Sequence, residues 1–219
     1  METIPQKQAR VVKIIKRLKS AYPDARLALD FKNPLELLVA LILAAQARDD
    51  RVNVVTAELF KKYRTVADWA AIPASQLQKE ISQITFFRNK TKSIQGAAKM
   101  IAEKFAGKVP DNLEDLLTLP GVGRKTGNVL LGNAFGCAAI GVDRHVARVS
   151  GRLELTRQED PDLIEEDLMK IVPEQDRVKF CHLLQYHGRR ICVAKKPKCS
   201  VCPINNLCPY PKKHPAEVS

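Results

Sequence analysis

Residues 33–47, NPLELLVALILAAQA, narrow the fold more than any other stretch, because Leu37 to Ala45 runs nine apolar residues without a break. Asn33 is suited to cap a helix, Pro34 to occupy its first position and Glu36 to reach back toward the start. A helix apolar nearly all round offers no face to water, so other elements must wrap it. It is too short for a membrane, where a span needs about 20 residues. Aromatic residues make up 5% of the 219 positions and no alternating strand pattern stands out, so the wrapping has to come from helices.

Helical segments follow one another along the chain. Residues 7–20 put Val11, Ile14, Ile15 and Leu18 on one face, with Lys13, Lys16, Arg17 and Lys19 off it. Further helices are predicted over 51–62, 75–82 and 89–105. Asp111 and Glu114 form a capping-box pattern before a short helix stopped by Pro120 and Gly121. Another helix covers 124–135 and one follows Asp143 over 144–152. One more starts at Asp160 and Pro161, and the last runs to Gly188. These segments make an all-α protein of about ten helices, followed by an irregular C-terminal stretch rich in Cys, Lys and Pro.

The charge balance points to the partner. Lys and Arg number 36 against 24 Asp and Glu, a formal net charge of +12. Such an excess suits a polyanion, either nucleic acid or an acidic membrane surface. The N-terminal residues contain no apolar signal core. The expectation is a cytoplasmic protein, where reducing conditions disfavour disulfides and the six cysteines need another account.

Residues 119–131, LPGVGRKTGNVLL, contain an anomaly. Gly121 and Gly123 make a tight turn, and Arg124 and Lys125 then open a helix. The start of a helix carries a partial positive charge, and cations there are disfavoured. Free N–H groups at the turn and first helical residues make a phosphate-binding arrangement, which would offset Arg124. An ordinary helix–turn–helix corner has the same residues; the +12 charge favours phosphate. For Lys125, the helix start and its cationic neighbour both disfavour the ammonium form, and a free amine is a nucleophile. A plain phosphate contact is the alternative. Asp143, in GVDRHVARVSGRL, precedes a helix and suits an N-cap.

Cys192, Cys199, Cys202 and Cys208 follow the spacing C-x6-C-x2-C-x5-C within seventeen residues. Four thiolates so close suit a tetrahedral metal or an iron–sulfur cluster. Zinc sites generally pair two C-x2-4-C units, and only one is present here. Lys195, Lys196 and Lys198 stand on the loop between the first two cysteines, and residues 186–213 carry seven Lys or Arg and no acid. A rigid cluster would hold that loop as a cationic surface for a nucleic-acid backbone. Cys181 lies in an apolar helical stretch and is expected in the core.

LPGVGRKTGNVLLGNAFG followed by VDRHVARVSGRL closely resembles the helix–hairpin–helix DNA glycosylases, and within them the endonuclease III family. The resemblance covers about residues 30–210. It implies two helical domains with a DNA-binding cleft between them: a six-helix domain with the hairpin over 27–137, and an iron–sulfur domain formed by 1–26 plus 138–219. Lys125 falls on the Schiff-base lysine and Asp143 on the catalytic aspartate. The four cysteines carry the family's spacing for a [4Fe–4S] cluster. The implied activity is a bifunctional DNA glycosylase/AP lyase of base excision repair. It acts on oxidised or saturated pyrimidines, or on abasic sites, in double-stranded DNA, and the expectation is a monomer without membrane association.

The same resemblance assigns DNA contacts. Gln46 matches the residue that fills the hole left by a flipped base, and Phe86 falls where the family often has an aliphatic wedge. Gly121, Gly123, Arg124, Lys195, Lys196 and Lys198 are expected against phosphates, and His145 against DNA or the pocket. Arg48 and Arg144 stand where family members often have Thr, and an ion pair of Arg144 with Asp143 would favour the aspartate's charged form. A glycosylase of another base specificity, acting on mismatched or deaminated bases, and a non-enzymatic DNA-binding module are the competing functions.

Overall fold

The computed structural model describes residues 2–215, and among them there is no strand. Contacts divide the chain into two compact units, Met1–Arg26 with Ala138–Ser219, and Leu27–Cys137.

The Leu27–Cys137 unit carries seven α-helices among the described residues: α2 (Pro34–Ala44), α3 (Asp49–Lys62), α4 (Val66–Ala71), α5 (Ala74–Glu80), α6 (Phe87–Lys104), α7 (Leu113–Thr118) and α8 (Arg124–Ala134). The sequence predicts six; α4 is the addition. Its capping box, Thr65 with Asp68, is readable, but six residues are too few to show a helical period. Trp69 anchors it, 1% exposed and edge-on to Phe60. Helix α2 is the central element: Leu37 to Leu43 are all buried, and α3, α6 and α8 pack against it. Each fully buried Leu or Ile there contributes roughly 1.5–3 kcal/mol. Asn33 caps α2 by accepting from the Glu36 amide, while Glu36 reaches one residue further back than expected, accepting from Lys32 N at 2.7 Å.

The cap of α7 shifts by one residue from the predicted Asp111–Glu114 pair. Asn112 accepts from the Asp115 amide, and its own amide group donates to the Asp115 carboxylate. Both frames place an acid in the first turn, so the local signal does not distinguish them. The other unit contains α1 (Ile4–Ala21), α9 (Arg144–Arg152), α10 (Pro161–Ile171), α11 (Arg177–Arg190) and α12 (Tyr210–Lys213), with short 3-10 turns at Glu174–Asp176, Cys199–Val201 and Asn205–Leu207. Val11, Ile14, Ile15 and Leu18 of α1 are buried as their spacing predicts, packed with Val146, Val149, Leu168, Phe180 and Leu184. Cys181 is in this core, and burial pushes its thiol up to about 12.

Candidate functional site

The two glycines of the hairpin between α7 and α8 sit in different surroundings. Gly121 has φ +83°, and a Cβ there would stand 2.7 Å from Ser93 Cβ on α6. Backbone angle and close packing both exclude a side chain. Gly123 is extended (φ −99°) and open to any residue on angle alone, yet a Cβ there would meet nothing within 4 Å. It precedes α8 without a side-chain cap, and no acid stands in the first turn. The helix therefore starts with unobstructed N–H groups, with Arg124 half-buried and Lys125 exposed beside them. This arrangement suits an anion.

Gln46 and Phe86 share an uncommon conformation. Gln46, just beyond α2, has φ +55°, and Phe86, immediately before α6, has φ +58°. A non-glycine residue in the left-handed region costs about 1–2 kcal/mol. Phe86 also leaves an aromatic ring 56% exposed. Two strained residues, one presenting a large apolar group to solvent, are functional candidates. Phe87, by contrast, is half-buried with the Arg88 guanidinium 5.5 Å from its ring centre. Arg48 pairs with Asp50 through both Nε (3.1 Å) and Nη2 (2.6 Å) at the exposed start of α3.

In the other unit, Asp143 is the N-cap of α9. Its Oδ1 accepts from the amides of His145 and Val146, both at 2.8 Å, so a single oxygen caps the helix. Among the described residues Arg144 makes no ion pair with Asp143; its Nε donates to His145 Nε2 at 3.4 Å. His145 Nδ1 lies 3.2 Å from Arg148 Nη2. Burial, together with the charges of Arg148, Arg144 and Arg189, holds this imidazole below its usual range against the opposing pull of Asp143. The ring is wedged between α9 and α11: a Cβ on Gly188 would stand 3.1 Å from it.

Sequence reasoning missed two arginines on α9. Arg148 donates to the carbonyls of Gly188 (2.8 Å) and Cys192 (3.0 Å). Arg152, one turn on, donates to Val193 O (2.7 Å), Ala194 O (2.8 Å) and Cys192 Sγ (3.4 Å), with its guanidinium 4.6 Å from the Tyr210 ring centre. Their i, i+4 spacing puts them on one helix face, and that was the available signal. The helix that begins at Asp143 thus grips the cysteine loop at its other end.

Cys192, Cys199, Cys202 and Cys208 line one hollow with Val149, Leu153, His187 and Ile204. In a tetrahedral zinc site four sulfurs close on one ion at about 2.3 Å. Among the described residues no three His, Cys, Asp or Glu side chains are grouped for a single ion. Four thiols around a shared hollow suit a polynuclear cluster, each sulfur on its own iron. Burial pushes the thiols of Cys202 and Cys208 up to about 11, and neighbouring cysteines add to the rise. Cationic iron among them would reverse that preference. His187, 2% exposed, has burial lowering its pKa to about 4. Its Nδ1 lies 3.0 Å from the Tyr22 hydroxyl and its Nε2 lies 3.6 Å from Cys202 Sγ. Cys192 Sγ thus faces an Arg152 N–H donor and Cys202 Sγ an imidazole nitrogen, contacts that suit a metal-bound thiolate. Pro197 turns into the hollow while Lys195, Lys196 and Lys198 are exposed around it.

Comparison with known proteins agrees with these features. Residues 39–174 match the HhH-GPD superfamily of base excision DNA repair proteins, and residues 192–208 match the iron-sulfur binding domain of endonuclease III. The class is thus a base excision repair protein built on a helix–hairpin–helix fold with a [4Fe–4S] cluster. Endonuclease III of Synechocystis sp. is 47% identical over 210 residues, 95% of this chain and 96% of the relative. A non-covalent endonuclease III–DNA complex superposes with a TM-score of 0.88 at 41% identity, covering 95% of this chain and 98% of that one. A trapped endonuclease III–DNA covalent intermediate gives 0.88 at 42% identity, covering 94% and 98%. The chain belongs to the endonuclease III family.

Proposed function

We propose that this chain excises oxidised or saturated pyrimidines from duplex DNA and cuts the strand 3′ to the lesion, with Lys125 as nucleophile. The observation that carries this reading is an exposed lysine in the first turn of a helix whose N–H groups are uncapped and unobstructed, in a chain of the endonuclease III family. C1′ of the damaged nucleotide is shielded inside a duplex, so the nucleotide must swing out. Gln46 and Phe86 fill the space it leaves, Phe86 by stacking on neighbouring bases. The hairpin amides and Arg124 hold the adjacent phosphate.

Lys125 gives up one ammonium proton before it attacks, and Asp143 is the carboxylate proposed as the general base. The amine attacks C1′, and the glycosidic bond breaks with its electron pair leaving on the base, which takes up a proton. The sugar ring opens to an imine with Lys125 Nζ. Loss of a C2′ proton and departure of the 3′ phosphate complete the β-elimination, and water releases the lysine. Once Asp143 passes its proton to the departing base it is again a carboxylate, and it stabilises the positive charge that develops on the sugar. Cys192, Cys199, Cys202 and Cys208 hold the [4Fe–4S] cluster, which when bound supplies four iron–thiolate cross-links to the loop. That loop presents Lys195, Lys196 and Lys198 to the DNA backbone. The protein acts as a monomer in the cytoplasm, and among the described residues no helix is long and apolar enough to cross a membrane.

Lesion choice is tested with a panel of duplexes carrying thymine glycol, dihydrouracil, a G·U pair or a G·T pair. Single-turnover excision is expected to be fastest on the first two by a factor of about 100 or more, the reach of a pocket that recognises polar edges. Faster removal from the mispairs would establish the alternative specificity, and cleavage of none, nor of an abasic duplex, would leave a binding module. The lysine loop has its own test. Replacing Lys195, Lys196 and Lys198 together by Ala should flatten the slope of log affinity against log salt by about 2 to 3, at roughly 0.9 per lost phosphate contact. An unchanged slope would remove the loop from the interface.

A further inference from the structure

Helix α6 carries a buried charge that the chemistry above does not use. Lys90 is 6% exposed, and its ammonium donates to Leu43 O at 2.8 Å and to Ala45 O at 2.6 Å. Both carbonyls belong to the C-terminal end of α2, where backbone oxygens lack helical partners and the dipole attracts a cation. Among the described residues no carboxylate faces it. Burial alone lowers its pKa. An unpaired buried ammonium is costly, and a methionine of similar length would fill the same space without that cost.

What Lys90 joins explains the charge. Ala45 immediately precedes Gln46. On its own helix, the Lys90 amide donates at 3.1 Å to the carbonyl of Phe86, one turn before it. Gln46 and Phe86 are both exposed and left-handed, and one residue ties the two segments together, by its side chain to the end of α2 and by its backbone amide to Phe86. The same helix meets the hairpin further along, at Ser93 against Gly121 and at Gly96 against Pro120. The geometry points to Lys90 as a positioning residue that holds Gln46 and Phe86 at a set separation, so that both enter the duplex as one wedge. This inference rests on the assignment of those two residues as the wedge.

The test is a double-mutant cycle on a duplex with one abasic site, which keeps the orphaned partner base and does not depend on the preferred lesion. Single-turnover strand cleavage is measured for wild type, Lys90→Met, Gln46→Ala/Phe86→Ala, and the triple variant. Lys90→Met is expected to slow cleavage at least tenfold in the wild-type background and less than twofold where the wedge is already removed. A slowing of equal size in both backgrounds would show that Lys90 merely supports the fold and would overturn the inference. So would a Lys90→Met rate equal to wild type beside a slow Gln46→Ala/Phe86→Ala variant. If that double variant itself cuts at the wild-type rate, the wedge assignment fails and this inference fails with it. Thermal melts accompany each rate; if Lys90→Met does not fold, Lys90→Gln, which keeps a neutral N–H donor, carries the same cycle.

Discussion

Lys125→Ala cuts neither a lesion-bearing duplex nor an abasic one, its strand-scission rate falling by about four orders of magnitude or more, as when a covalent nucleophile is removed. Its affinity for the same duplex stays within roughly a factor of five of wild type, because one cation among many phosphate contacts is lost. Borohydride reads the difference directly, since it reduces an imine to a stable crosslink. Wild type gives a shifted protein–DNA band on thymine glycol or abasic duplex, and Lys125→Ala gives none. The physical basis is the site of this lysine. It is exposed in the first turn of α8, beside a start with no side-chain cap and no acid. The substitution removes a side chain from solvent and leaves Gly121, Gly123 and the packing of α8 untouched. Parallel loss of binding and cleavage would mean that Lys125 is a phosphate contact and that the nucleophile lies elsewhere.

Cys202→Ala loses the cluster, its visible charge-transfer absorption and the order of the loop. Loss of metal cross-links that are coupled to folding costs on the order of 5 kcal/mol or more, borne by the segment they hold. Protease cleavage is expected within residues 193–208, while far-UV circular dichroism keeps most of its amplitude. The core of that unit explains the contrast: Val11, Ile14, Leu18, Phe180, Leu183 and Leu184 are buried among one another. Duplex affinity should fall about tenfold or more, with the salt slope reduced by the same 2 to 3 as in the triple lysine variant. Full affinity in a cluster-free, protease-sensitive protein would separate the cluster from DNA binding.

Much of the site was legible because its signals are local. Asp143 before its helix, Asn33 with Pro34, and Asp160 with Pro161 are caps whose hydrogen bonds reach two or three residues, and each forms as read. The cysteine spacing likewise brings four thiols to one hollow. The parts that escaped are contacts between distant segments. Lys90 looks like one more lysine in a basic helix until its ammonium meets α2 across 45 and 47 positions. Arg148 and Arg152 look like a solvated face until they meet carbonyls 40 to 44 positions away. Arg144 turns to His145, while one Asp143 oxygen accepts from two amides of the same helix.

Hydrophobic spacing and caps in the linear chain were enough to dictate an all-helical protein, a central α2 and the face of α1 that is buried. These follow from backbone bonds of three to four residues and from the period of the helix. Packing alone settled that Gly121 must be glycine for Ser93 as well as for its own φ, that α6 joins the Gln46 and Phe86 segments, and that α9 clasps the cysteine loop. Those outcomes depend on which helices lie side by side. That choice is made by the whole core at once, and no short window of residues contains it.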